Sequence, residues 1–581
     1  MFAGPIFQRE LLTSPRRLRH FLMRSGYVAA LFVLMYTAMQ VTFGWQTLES
    51  LGDLARFGGL VFQIFAFLQL TLVLFFALLF AAGSVAQEKD RRTLVLLLMT
   101  DLRDRELVIG KLSASLLVVG VLLAVSVPVF AFVHLLGGVS PGQIVWAELI
   151  CAAAALAAGS WGSLVAFWRE KTFQTLAFSV LGLVLFIGGV EAVVAFAGRE
   201  SPAGAWAALF SPYQAMIDVA FPLRRHTGLE PASVAAGGPV LALAGLSVVL
   251  LGATVLRLRV WNPSRFVFTR PEEQADDIQA ADRPKAPIPA RHIWSNPVIW
   301  REIRTRAYGR KTVVITLAYL VLAGVAWYAI AQAGGVGEKV MGMIPAAGFA
   351  FAGLAILSLM LVNAQAVTAL TSERDGNTLE LLLVTDITAK EFIYGKLGGI
   401  LYNAAVLIAV PPALVVYFAA SGFIIWEHAL YVIASFAALV CFASMLGLHS
   451  GLSYDHSRAA IANSLGTMFF LFVGIFIFMI LLVEASSSFL LQFQSFLLFI
   501  GLGSIGLYAS LTHKNPSAAL TISAGVLPFL TFYAITEYLL GGSLGVCLWI
   551  LAAYGFTTIA MLVPAVSEFD VALGRTTLDQ G

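Results

Sequence analysis

Apolar runs of about 20 residues recur from one end of this 581-residue chain to the other. A run of that length crosses a hydrocarbon core about 30 Å thick as a helix. Inside a bilayer no water is present to satisfy an open backbone, so only helices or closed barrels span it. The recurrence restricts the fold class to an all-α polytopic membrane protein. Composition agrees: 59% of residues are hydrophobic and 12% charged, against about 25% charged in soluble domains. A net charge of +3 is too small to suggest a polyanion partner, which argues against nucleic acid.

Spans are expected at 26–44, 58–86, 113–136, 144–168, 173–197 and 238–257, then at 312–333, 344–370, 398–421, 427–452, 463–484 and 544–566. These are 12 principal transmembrane helices. Residues 489–540 hold two more apolar stretches, 489–511 and 518–540. They form a spanning pair, for 14 helices in all, or a re-entrant or external hairpin. Lys and Arg are held on the cytoplasmic side of membranes. With the N-terminus inside, 30 of the 36 Lys and Arg fall in inner segments, and Arg56, Arg199, Arg224, Arg225 and Lys339 fall outside. Lys514 sits in the ambiguous hairpin. The expected protein is multi-pass in the plasma (inner) membrane, with both termini cytoplasmic. Arg9, Arg16, Arg17, Arg19 and Arg24 precede a first run too long for a signal-peptide core, so that run reads as a retained helix. Cys151, Cys441 and Cys547 all lie in apolar runs and have neither disulfide nor metal spacing.

The polar stretch 258–296, with Glu272, Glu273, Asp276, Asp277 and a proline cluster, cannot bury a core and reads as a cytosolic linker. It separates residues 1–257 from residues 297–581, each with six principal spans. The two halves repeat each other. Residues 88–112 and 373–397 are identical at 13 of 25 positions without a gap. A weaker echo joins GPIFQRE at 4–10 to NPVIWRE at 296–302. Both copies fall on the same side, so this is a tandem parallel repeat and not an inverted one.

On a helix, Leu94, Leu97, Leu98 and Asp101 share one face, as do Leu379, Leu382, Leu383 and Asp386. The opposite face carries Arg92, Val95, Leu96 and Met99, or Asn377, Glu380, Leu381 and Val384. A short helix along the inner surface would bury the first face. The second would then meet either a partner or the protein's own helices. Thr388-Ala-Lys-Glu391 fits a capping box that starts the next span. In the first copy Arg103 stands at the Thr388 position, which leaves Glu106 a favourable dipole interaction only. Gly110-Lys111 and Gly395-Lys396 lack the spacing of a phosphate loop.

These residues resemble a known family. ERDGNTLELLLVTDI at 373–387, followed by Glu391 and Gly395-Lys396, is similar to the loop between spans two and three of type-2 ATP-binding cassette (ABC) export permeases. The resemblance implies that the loop is a coupling helix fitting a groove in a separate ATPase. It implies six helices per half, amphipathic elbow helices at 5–24 and 297–311, and re-entrant external elements between spans five and six. The implied ATPase-coupling residues are Glu88, Asp90, Arg92, Val95, Leu96 and Met99, with Glu373, Asp375, Glu380, Leu381 and Val384. Glu106, Lys111, Glu391 and Lys396 begin the following helices. Two ABC ATPase subunits are the expected partners beside the lipid bilayer. No cofactor is expected on this chain, with ATP and magnesium bound by the partner. Val95 replaces the acid found at Glu380, and Asp101 and Asp386 stand where many members have proline, so the first copy is expected to grip differently.

Polar groups inside spans are costly to bury and therefore functional candidates. Gln69, His134, Asn363 and Gln365 are candidates for a translocation path, against the alternative of bonding between helices. The eight His show no metal-ligand spacing and no catalytic site is expected. The leading reading is the permease of an ATP-driven exporter. A secondary transporter of the major facilitator type shares the parallel halves, the central linker and an Asp-Arg loop after span two. A membrane-embedded enzyme or scaffold is a third class.

Overall fold

The computed structural model describes residues 4–13, 18–43, 50–222, 232–262, 294, 296–304, 312–332, 339–340, 344–376, 378–379, 387–478, 489–514, 517–539 and 542–567. The N-terminal part runs α1 (Gly4–Thr13), α2 (Leu18–Phe43), α3 (Leu51–Asp90), α4 (Thr93–Leu98), α5 (Asp104–Leu136), α6 (Pro141–Trp168) and α7 (Thr172–Ala197), then α8 (Pro202–Phe210), α9 (Pro212–Ala220) and α10 (Ala232–Trp261). The C-terminal part begins with α11 (Pro297–Arg304) and α12 (Thr312–Gln332), followed by a two-residue antiparallel ladder of Lys339–Val340 with Ile344–Pro345. It continues through α13 (Ala346–Asp375), α14 (Ala389–Asn403), α15 (Ala405–Ala420), α16 (Trp426–Ser453) and α17 (Ser457–Phe469), then α18 (Phe489–Leu511), α19 (Ala518–Leu539) and α20 (Ser543–Ser567). Helix α17 passes into a π turn at Phe470–Gly474.

Among the described residues ten helices are long and apolar enough to cross a membrane, and an eleventh if α14 and α15, bent by 58°, make one span. The protein is a multi-pass all-α membrane protein. The count falls short of the 12 expected: the span expected at 398–421 is split between α14 and α15, and residues 479–484 of the one expected at 463–484 lie outside the described residues. Helices α2 and α12 are not among the ten, and α12 contributes only the shorter apolar stretch Val313–Tyr328.

Helices α3 and α13 are the centres of their parts. Helix α3 packs on α5, α6 and α7, and α13 on α15, α16 and α17. Two glycines allow close crossings on the central helices, because small residues let backbones approach. A Cβ on Gly162 of α6 would lie 2.9 Å from the Leu78 carbonyl oxygen of α3. On Gly447 of α16 it would lie 2.8 Å from the Asn363 carbonyl oxygen of α13. The parts meet along α7 against α12 and α13, α3 against α17, and α2 against α18. The Phe75 and Phe469 rings stack there at 4.8 Å.

The two parts differ before their last span. In the first, α8 and α9 are nine residues each, started by Ser201 and Ser211, whose hydroxyls accept from Gly204 and Gln214 N–H groups. In the second, α18 has 23 residues, about 34 Å of helix. Its end returns to the loop after α16. The Leu511 carbonyl meets His449 Nε2 at 2.8 Å, His513 stacks on Tyr454 at 4.4 Å, and Lys514 pairs with Asp455. Of the two, α19 is one of the ten candidate spans, and α18 contributes the shorter apolar stretch Phe496–Leu511.

Candidate functional site

The repeated motif lies where α3 ends. Arg91 closes the helix with its N–H on the Gln87 carbonyl, and the Arg92 N–H bonds the Lys89 carbonyl. Arg92 follows at φ 58°, a left-handed conformation uncommon without glycine. The chain reverses there into α4. Thr93 Oγ1 donates back to the Glu88 carbonyl at 3.3 Å. Leu94 and Leu98 are buried, in a cluster with Val85, Leu107, Val108, Phe167 and Leu258. Leu96 and Met99 are 60% and 59% exposed. Val95 and Leu97 are half-buried and Arg92 is exposed. The helical periodicity separates buried Leu94 and Leu98 from exposed Leu96 and Met99, because residues four apart share a side, but Val95 and Leu97 are alike half-buried and Asp101 is exposed, against the expected division. Glu106 does more than interact with a dipole. Its carboxylate accepts the Arg103 N–H at 3.2 Å, one half of a capping box, while the Arg103 side chain has no acceptor to supply the other.

In the second copy Thr378 Oγ1 donates to the Glu373 carbonyl at 3.1 Å and Leu379 is buried. Glu380, Leu381 and Val384 lie outside the described residues. The Thr388–Glu391 box is complete, with Glu391 N–H on Thr388 Oγ1 at 3.2 Å and Thr388 N–H on the Glu391 carboxylate at 3.0 Å.

The acidic residues of the motif turn inward. Glu88 pairs with Lys111, and Glu373 with Lys396 at 2.7 Å. Lys396 is only 2% exposed and is also 2.6 Å from Glu302 of α11. Arg301 closes the cluster onto Glu302 at 3.0 Å and onto Glu373. Burial acts to raise the Glu302 carboxyl, but Lys396 and Arg301 outweigh it and hold the group below its usual range. Asn296 fixes α11 in place. Its carbonyl accepts the Val298 and Ile299 N–H groups, and its amide donates to the Glu391 carbonyl at 2.8 Å.

Further in, Asp90 accepts from Thr172 and Asp375 from Ser457. Lys89 donates to the Phe167 and Arg169 carbonyls, and Arg374 to those of Gly451, Leu452 and Tyr454. These contacts stand in the same register as the sequence repeat, with Glu88 matching Glu373. One contact breaks the pattern: Arg91 Nε reaches Asp375 at 3.1 Å, and the position matching Arg91 is Gly376.

The polar span residues act between helices. Gln69 donates to both Glu148 oxygens at 3.0 and 3.1 Å, and Tyr27 donates to Gln69 at 3.1 Å. Ser126 adds a bond to Glu148 at 2.8 Å. Asn363 joins α13 to the Ala443 carbonyl of α16 and to Ser464 of α17. His134 Nδ1 meets the Val139 carbonyl at 2.7 Å. Gln365 is buried with its amide nitrogen unpartnered. Two cavities are evident among the described residues. One of about 210 Å3 is lined by apolar side chains around Trp161 and Phe186, and one of about 260 Å3 by Asn463, Thr467, Gly503 and Ser510. Gln69, His134, Asn363 and Gln365 line neither. Sequence reasoning missed Glu148, a carboxylate inside an apolar run. It quoted Arg301 and Glu302 only as an echo of Arg9 and Glu10.

The body is helical and multi-pass, with a short amphipathic helix perched at one end of a central span. Residues 15–259, from the start of α2 to the end of α10, match the family described as ABC-2 family transporter protein. No curated protein matches the chain in sequence. Over these residues, which are fewer than half of the chain, the protein is similar to ABC-2 family transporter proteins.

Proposed function

We propose that the chain is the membrane-spanning permease component of an ATP-driven exporter, with residues 1–257 and 297–581 as two fused halves around a linker at 258–296. The carrying observation is the face of α4 that presents Leu96 and Met99 to solvent over a buried Leu94 and Leu98. Apolar side chains held out at the rim of a membrane protein mark a contact, and an ABC ATPase is the partner the family supplies. The 13 identities between residues 88–112 and 373–397 support a second docking segment, with Glu380, Leu381 and Val384 in the matching places. Two ATPase copies follow from two segments. The inward-turned Glu88, Asp90, Glu373 and Asp375 then position the segments and leave the contact to the exposed residues. Fusion is supported by the matched contacts at Thr172–Asp90 and Ser457–Asp375 and at Lys111–Glu88 and Lys396–Glu373. The cation distribution supports an inner, cytoplasmic motif end of a plasma-membrane protein, with both termini on that side.

ATP-driven closure of the ATPases would move the docking segments and rock the halves. To transmit work, the ATPase must bind the two arrangements with different free energies. The test is co-purification of the ATPase from the native membrane. Leu96→Asp with Met99→Asp should reduce capture at least tenfold, and adding Leu381→Asp should abolish it. Undiminished capture by the triple variant would refute the docking role.

A further inference from the structure

Asp90 and Asp375 occupy the last turns of the two central helices α3 and α13. Each is tied within its own part, Asp90 by Thr172 and Asp375 by Ser457. Asp375 has a second partner from the other part, because Arg91 Nε reaches its Oδ1 at 3.1 Å. The mirrored bond does not form, since Gly376 stands where a second guanidinium would be needed. The Asp375 side chain is 2% exposed, whereas Arg91 is 41% exposed. The anchor is therefore fixed and the arm is reachable from outside. Only Arg92, left-handed and in tight connection, separates the arm from α4. A displacement of α4 acts on Arg91 with one residue of slack.

We propose that Arg91 is a one-sided latch: its grip on Asp375 holds the motif ends of α3 and α13 together, and movement of α4 releases it. Arg91 is thus a positioning residue of the transport cycle, and only the first docking segment controls it. Arg91 is itself largely exposed and Ser457 still bonds Asp375 when the guanidinium is removed, so the latch biases an arrangement without being needed to fold the protein. A second bond between the parts, Arg458 Nη2 to the Ser84 carbonyl at 3.3 Å, comes from the opposite direction and is not attached to a docking segment. The inference rests on the docking reading only for what moves α4.

The test measures distance in the full chain in lipid nanodiscs. Spin labels are placed on Arg105→Cys and Lys390→Cys, exposed residues in the first turns of α5 and α14, with Cys441→Ala. Arg91→Ala and Asp375→Asn should each lengthen the mean separation by several ångström and broaden its distribution. Arg91→Lys, which keeps a cation, should stay near the unmodified distance. Leu94→Ser with Leu98→Ser, which unseats α4 and leaves Arg91 intact, should lengthen it as Arg91→Ala does. An unchanged distribution in Arg91→Ala overturns the latch. Lengthening in Arg91→Ala without lengthening in the Leu94/Leu98 variant overturns control by α4. Capture of the ATPase is a separate readout: its loss in the Leu96/Met99 variant bears on docking alone, so the two failures are distinguishable.

Discussion

The ends of α3 and α13 carry nearly the same residues and hold them differently. At α3, Glu88 meets Lys111 alone, with Lys111 12% exposed. At α13, the matching Lys396 is shared by Glu373 and Glu302, and Arg301 adds a second cation. The first end has the exposed Leu96 and Met99 and the crossing arginine, and the second has the dense charge cluster beside α11. The two similar segments thus share their internal bonds while the groups around them differ.

The largest expected effect separates the two lysines. Lys396→Ala deprives two carboxylates, Glu302 and Glu373, of the buried ammonium they share, and breaking a buried pair costs about 3–5 kcal/mol. Lys111→Ala strands one partly exposed carboxylate, for about 1–3 kcal/mol. Thermal unfolding in detergent checks the order, and equal losses would break the comparison. The same cluster sets a pH limb. Glu302 titrates in the folded protein below its usual range, so its contribution is present above the unfolded carboxylate pKa. It is lost as pH falls through the lowered folded value. In Lys396→Ala this acid-side loss should begin at higher pH.

Next come the helix crossings. An added methyl at Gly447 meets Ala366 Cβ, the Asn363 oxygen and the Val367 nitrogen, all under 3 Å, whereas at Gly162 only the Leu78 oxygen is that close. Overpacking costs about 1–3 kcal/mol, so Gly447→Ala should sit at the upper end of that range and Gly162→Ala at the lower, by the same melting assay. The smallest contrast is at the caps. Thr388→Ala removes a complete box and should cost about 1 kcal/mol. Arg103→Ala removes a side chain that caps nothing and should be near neutral, and Arg103→Thr should stabilise. Amide exchange in the first turns of α5 and α14 resolves these differences.

Much of this was legible in the chain itself. Hydropathy located the helices because a span has to be continuous and apolar. The alternation of Leu94 and Leu98 with Leu96 and Met99 disclosed the two faces of α4 because the helical period is local. What stayed hidden was non-local. Thr172 and Ser457 find their aspartates 82 residues away, and no short pattern announces such a pairing. The difference between Arg91 and Gly376 was visible in the aligned repeats, but it acquires meaning only once α3 and α13 lie side by side. Glu148 was readable as a charge inside an apolar run, and its partners Gln69 and Ser126 come from two other helices.

The turn after α18, where Lys514 pairs with Asp455 and His513 lies on Tyr454, bears on how the protein is made. To the insertion machinery a basic turn within a long apolar stretch is a retention mark, since cations resist translocation. Here the mark has a receptor waiting in a segment synthesised earlier, the loop that follows α16. The hairpin can therefore be caught as it emerges, before α20 exists to be packed.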